Sequence, residues 1–179
     1  MSEIVFSFAE ALYQLADEQG ITDRVLDEMR QIRAAFDECP RYLRILSSPE
    51  ISKKERCALL DGCFGGKVHT YVLSSMKLMA EKGCIRAFSR CFTRYRELYN
   101  EAHGIIEVNV VSAQPLTDGQ KERLRQKLEA NTGKRVLLET RIDPGCIGGI
   151  RIEYNGLSVD DTLRFRLDAV RKALLTTTV

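Results

Sequence analysis

Residues 110–156 constrain the fold most tightly, because each change of direction in this stretch carries its own chemical signal. Val110-Val111-Ser112-Ala113-Gln114-Pro115-Leu116 reads as the end of a strand. Thr117, with Gln120 three residues on, makes a capping box that opens a helix. Gly133 closes that helix in the left-handed conformation. Asp143-Pro144-Gly145 sets Pro and Gly at the two central positions of a type II turn. Gly148-Gly149 interrupts a strand, as glycines do at a bulge or where another backbone comes close.

The flanking patterns extend this reading. Ile106, Val108 and Val110 alternate with Glu107 and Asn109, a strand with one buried face. The helix over 118–132 has a narrow apolar stripe in Leu124 and Leu128. Val136, Leu138 and Ile142 mark a second strand, and Ile150, Ile152 and Tyr154 a third. Asn155-Gly156 is a hairpin signal, after which 157–159 returns as a short fourth strand. Leu163, Leu167, Val170 and Leu174 mark a last helix.

Before Gly104 the period is helical. Helices are expected over 3–19, 22–36, a short stretch after Pro40, 52–64 (Ser52 with Glu55 forming another capping box), 67–81 and 84–103. The expected fold class is an N-terminal all-α six-helix bundle over 1–104, followed by a small α+β C-terminal domain over 105–179.

Two of these helices carry more apolar surface than one core requires. At 100° per residue, Ile4, Val5, Phe6, Phe8, Ala9, Ala11, Leu12, Tyr13, Leu15 and Ala16 span about 220° of the first helix. On the fifth, Val68, Tyr71, Val72, Leu73, Met76, Leu78, Met79 and Ala80 span a similar arc. A surface helix needs a stripe of about 100° or somewhat more. The sixth helix keeps its apolar residues to about 160°, with Arg86, Arg90 and Arg94 opposite. The first and fifth helices are therefore either central in the bundle, or jointly leave an apolar groove for a helix of another chain. In the groove reading the lining residues are Ile4, Phe8, Ala11, Leu12 and Leu15 on the first helix, with Tyr71, Ser75 and Leu78 on the fifth. Small Ala11 and Ser75 permit close approach.

Composition excludes several functions. Charged residues are 29% and hydrophobic residues 44% of 179, as in a soluble globular chain. No apolar run approaches the roughly 20 residues of a membrane span. Glu3 and Glu10, with helical rather than solid apolar patterning, argue against a signal peptide. A bacterial cytoplasmic protein or a mature organellar one is expected. Net charge is +2 and spread along the chain, without the basic excess that drives phosphate binding.

The six cysteines form no Cys-x-x-Cys pair, so they read as small apolar fillers. Cys84 and Cys91 are expected on the buried side of one helix. Neither a metal nor a cofactor site is expected. Gly145-Cys146-Ile147-Gly148 matches the Gly-x-x-Gly of KH domains in letters only, since that loop joins two helices and this one follows a strand. The basic residues at 86–94 and 121–127 are interleaved with glutamates. His69, on an apolar-rich helix, and His103, at a helix end, lack an activated nucleophile. No enzyme is expected. A nucleic-acid-binding module and a generic helical adaptor stand as alternatives.

The order Val110-Val111-Ser112-Ala113-Gln114-Pro115-Leu116, Gly133-Lys134, Asp143-Pro144, Ile147-Gly148-Gly149 and Asp160-Asp161-Thr162 resembles the delta subunits of F-type ATP synthases, the oligomycin-sensitivity-conferring protein family. Phe8-Ala9-Glu10-Ala11-Leu12 is similar to that family's Tyr-Ala-x-Ala-Leu opening, and Ser48-Pro49-Glu50-Ile51, ahead of a basic helix start, is similar to the family as well. Phe8, Cys146 and Thr162 depart mildly from its usual residues. The resemblance implies a non-catalytic peripheral-stalk subunit that keeps the catalytic hexamer from turning with the rotor, so that ion flow is coupled to ATP synthesis. It further implies an N-terminal bundle holding the N-terminal helix of the alpha subunit between its first and fifth helices. The C-terminal domain would contact the b-subunit stalk, through its last helix or the helix after Thr117. One copy would serve each hetero-oligomeric complex, peripheral on the cytoplasmic face of the inner (cell) membrane, with no direct membrane insertion and no nucleic acid.

Overall fold

The computed structural model describes residues 2–48, 50–154 and 157–176, with side chains described over 4–48, 50–154 and 157–169. The chain forms two compact units, Met1–Asn100 and Glu101–Val179.

The first unit is helical. Its elements are α1 (Ser2–Glu18), α2 (Thr22–Glu38), α3 (Pro40–Leu46), α4 (Lys53–Phe64), α5 (Thr70–Glu81), a 3-10 turn (Ile85–Ala87) and α6 (Phe88–Ala102). Local chemistry sets the boundaries. Ser52 accepts the Glu55 N–H and Glu55 accepts the Ser52 N–H, completing the box that starts α4. Pro40 stands in the first turn of α3, where its missing N–H costs nothing.

One side of each helix enters a single core. Val5, Ala9, Leu12 and Ala16 of α1 meet Val25, Met29, Ile32 and Phe36 of α2, Val72, Met76 and Met79 of α5, and Phe88, Cys91, Phe92 and Tyr95 of α6. Phe36 stands edge-on to Phe88 at 5.4 Å and to Phe64 at 6.0 Å, the arrangement aromatic quadrupoles favour. The buried Tyr95 hydroxyl donates to the Thr22 carbonyl at 3.2 Å, so its polar end is satisfied.

Two helix starts differ from expectation. Residues 67–69 precede α5 rather than belonging to it, because His69 caps the helix in an extended conformation. Cys84 likewise lies ahead of the 3-10 turn and is half-buried, whereas Cys91 is buried within α6. The two cysteines do not share one helix face.

The second unit is a four-stranded sheet with two helices: β1 (Ile105–Ser112), α7 (Asp118–Thr132), β2 (Arg135–Ile142), a 3-10 turn (Pro144–Cys146), β3 (Ile150–Tyr154), β4 (Leu157–Asp160) and α8 (Leu163–Thr176). Strand order is β2-β1-β3-β4. β1 and β2 are parallel, with Ile106 opposite Val136 and Val108 opposite Leu138. Parallel neighbours need a crossover, and α7 supplies it between its Thr117–Gln120 box and the left-handed Gly133. β3 and β4 are antiparallel. Ile106, Val108, Val110 and Val136 are buried, with Leu116, Leu124 and Leu128 packed against them.

The expected type II turn at Asp143-Pro144-Gly145 does not form. The Asp143 carboxylate accepts the Gly145 N–H at 2.9 Å and starts a 3-10 turn. The positive φ values fall instead on Ile147 (66°) and Gly149 (76°). At Gly149 another backbone does come close, since a Cβ there would stand 2.3 Å from the Asp161 carbonyl oxygen. The Asn155-Gly156 turn lies outside the described residues, as do the side chains of Val170 and Leu174.

Candidate partner-binding surface

α1 packs directly against α5 and α2. The buried residues Val5, Leu12, Ala16 and Ala9 lie between about 120° and 180° around its axis, at 100° per residue. Ile4, Ala11, Leu15 and Phe8 form a second stripe between about 20° and 80°. Ile4 is 55% exposed and Leu15 43%. Ala11 is exposed and Phe8 half-buried against the core edge.

α5 repeats the arrangement. Val72, Met76, Met79 and Ala80 are buried. Tyr71, Ser75 and Leu78 lie about 115° away, with Leu78 47% exposed and the other two half-buried. An apolar stripe on α1, and a mixed one on α5 with Ser75 between Tyr71 and Leu78, thus run beside those that fill the core. Leu12 corrects the expectation. It is 3% exposed and belongs to the core, because its angle falls at the edge of the buried stripe. Phe6, 41% exposed, lies on the opposite flank of α1 from the second stripe.

Polar contacts fix the two helices in place. Arg94 of α6 donates to Glu10 of α1 at 3.2 Å and to Glu97 at 3.3 Å, and the Glu10 contact foremost raises its pKa. Tyr13 of α1 stands edge-on to Tyr95 of α6 at 5.5 Å, and burial raises the pKa of both phenols. Two anchors had no clear sequence signal. Glu28 of α2, 8% exposed, accepts the His69 N–H at 2.6 Å and an Arg24 N–H at 2.8 Å. His69 then accepts the Tyr71 N–H on Nδ1 at 3.3 Å. A charged residue on an amphipathic helix reads as solvated, which hid Glu28. The Gly65-Gly66 break before His69 was the available hint of a cap.

The second unit leaves apolar side chains open as well. Leu163 and Leu167 share a stripe of α8 and are 45% and 59% exposed. No residue of α7 is fully buried.

The nucleic-acid alternative loses its basis here. Gly145-Cys146-Ile147-Gly148 leads into β3, with Cys146 buried and Ile147 62% exposed. Lys121 pairs with Asp118 and Arg125 with Glu122. Among the described residues no group of His, Cys, Asp and Glu is arranged to hold a metal ion, and no helix is long and apolar enough to cross a membrane.

Residues 4–174 match the family described as ATP synthase delta (OSCP) subunit. The chain is 30% identical over 177 residues to ATP synthase subunit delta of Chlorobium phaeobacteroides, covering 98% of both chains. It is 29% identical over 168 residues to the same subunit of Clostridium kluyveri, covering 94% of this chain and 93% of the relative. Its fold is similar to that of a chain in the cryo-EM structure of the Toxoplasma gondii mitochondrial ATP synthase hexamer, with a TM-score of 0.76 at 14% identity over 96% and 97% of the two chains.

Proposed function

The chain belongs to the ATP synthase delta (OSCP) family and is a non-catalytic peripheral-stalk subunit of that hetero-oligomeric enzyme, and from this premise we propose how its two units divide the work. The helical unit grips the catalytic head by taking the N-terminal helix of an alpha subunit along the second stripes of α1 and α5. The sheet unit holds the b-subunit stalk. The subunit stands on the cytoplasmic face of the membrane, and the stalk, not this chain, reaches the bilayer.

One observation carries the reading. Ile4, Ala11 and Leu15 form an exposed apolar stripe, continued by Phe8, which is half-buried against the core edge. Residues at this spacing receive an amphipathic helix as a groove receives anchors at i, i+3, i+4 and i+7. Ala11 and Ser75 keep the middle of that surface shallow. The stator role demands tight, slowly reversed attachment rather than chemistry, and two attachment points on one chain raise the effective concentration of each. Leu163 and Leu167 support α8 as the side facing the stalk.

Calorimetry with a synthetic peptide of the alpha-subunit N-terminal helix tests the first attachment. Ala11→Asp is expected to retain the wild-type circular dichroism and melting profile and to bind at least about tenfold more weakly, because its carboxylate would be desolvated against an apolar helix. Unchanged affinity removes the assignment.

A further inference from the structure

One face of the sheet is only half covered. Ile106, Val108 and Val110 of β1 and Val136 of β2 lie under Leu124 and Leu128 of α7. Register sets Ile152 of β3 opposite Val110, Val159 of β4 opposite Ile152, and Leu157 opposite Tyr154, so these four side chains of β3 and β4 continue the same face beyond α7. Ile152 and Tyr154 are half-buried, whereas Val159 is 57% and Leu157 59% exposed. A layered fold covers such a floor with a second helix. α8 does not supply it, since it packs chiefly on the 3-10 turn at Pro144–Cys146, and its Leu163, Phe165 and Leu167 are exposed.

α7 walls this trough, and its charge is one-sided. Relative to the inward midpoint of Leu124 and Leu128, Asp118, Glu122 and Glu129 lie about 100° to 140° round to one side, at 100° per residue. Glu129 accepts the Val136 N–H at 3.1 Å, which fixes that side as the β2 side. Gln120, Lys127 and Arg123 lie about 60° to 120° round to the other, the β3 side. Lys121 and Arg125 are paired with Asp118 and Glu122. Arg123 and Lys127 are exposed, and neither has a carboxylate partner among the described residues.

We infer that this trough takes an acidic amphipathic helix of the stalk, laid beside α7 over β3 and β4. The inference rests on the stalk reading above, and adds to it a second contact besides α8 and the chemistry that the stalk polypeptide brings there. Apolar residues at i, i+3, i+4 and i+7 of the visiting helix meet the floor, and its carboxylates meet Arg123 and Lys127. A basic helix is repelled. That rules against the chain's own α8, or the α8 of a second copy, as occupant, because α8 carries Arg164, Arg166, Arg171 and Lys172 against Asp168 alone.

The test measures binding of the soluble part of the b subunit to the full-length protein, by calorimetry at low and high salt. Arg123→Glu combined with Lys127→Glu reverses the charge of the wall. Both positions are exposed and glutamate is a good helix former, so circular dichroism and melting are expected to stay as in the wild type. Affinity is expected to fall about tenfold at low salt, and its dependence on salt to flatten. Leu157→Ser is expected to weaken binding about fivefold. Lys53→Glu combined with Lys54→Glu makes the same change of net charge in the helical unit and is expected to bind as the wild type does. Wild-type affinity in the wall-reversed variant, or an equal loss in the Lys53 and Lys54 variant, overturns the trough and leaves the stalk reading standing. Absence of b-subunit binding to the wild type overturns both.

Discussion

Arg56 of α4 donates from Nη1 to the carbonyl of Ala80 at 3.0 Å, tying the side of one helix to the last turn of α5. The same guanidinium reaches the carbonyls of Ser48 at 3.0 Å and Ile51 at 3.1 Å. Three backbone acceptors, one of them at a helix C-terminus where positive charge is favoured, depend on one side chain. Arg56→Met keeps the stem and removes the donors. It is expected to destabilise the helical unit by about 2 kcal/mol, read as a shift of the urea midpoint.

Leu12 and Leu15 stand less than one turn apart on α1 with opposite surroundings, 3% and 43% exposed. Leu12→Ala opens a cavity in the core and is expected to cost about 3 kcal/mol. Leu15→Ala is expected to change stability by less than about 0.5 kcal/mol while weakening peptide binding. Denaturation and calorimetry on both variants check the division between core and docking stripe.

Two glycines with positive φ separate strain from crowding. Gly133 has open space around it, whereas a Cβ at Gly149 meets the Asp161 carbonyl oxygen at 2.3 Å and Thr162 Cα at 3.1 Å. Gly133→Ala is expected to cost about 1 kcal/mol through its backbone conformation alone. Gly149→Ala adds a clash with immovable backbone and is expected to cost at least about 3 kcal/mol. Amide exchange in β3 and α8 reads the difference, and the helical unit's amides are the internal reference.

Glu55 titrates below its ordinary value of 4.5, first because the Ser52 N–H donates to it and then because the Ser52 hydroxyl does. A lowered pKa means that the folded state prefers the carboxylate. Its contribution to stability is therefore present above the ordinary value and lost as pH falls through the folded one. Glu55→Gln keeps an acceptor in the capping box but does not titrate. Its stability is expected to fall less steeply than the wild type's between about pH 5 and 3, measured by thermal melts at each pH.

Burial pushes the Cys91 thiol up to about 12, so it carries almost no thiolate at neutral pH. Cys39 and Cys63 are exposed. Brief iodoacetamide treatment of the native subunit is expected to label those two and to leave Cys91 and the buried Cys146 unmodified until denaturant is added, as peptide mass spectrometry will show.

Local chemistry was legible in the sequence. Ser52–Glu55 and Thr117–Gln120 close as capping boxes, Gly133 takes the left-handed conformation, and the alternating valines of β1 line the buried sheet face. Each of these is decided within a few residues. Errors arose where a group had a competing partner or a borderline angle. Gly145 looked like the positive-φ residue of a turn, but the Asp143 carboxylate captured its N–H first. Leu12 lies at the join of two stripes, where 100° periodicity does not say which stripe the core takes. The Glu28–His69 contact spans 41 positions and the Arg56–Ala80 contact 24. Single side chains that act at such separations leave no periodic trace.

The strand at the heart of the sheet is the first of the four to leave the ribosome. β1 gains one neighbour only after α7 has been made, and its other side waits for Ile150 to pair with Ser112. A nascent chain halted short of Ile150 therefore carries a bare strand edge from Asn109 to Ser112, with main-chain donors and acceptors open to any extended peptide nearby. From the synthesis of Ser112 to that of Ile150, roughly forty residues, that edge is open to mispairing, and only the arrival of β3 closes it.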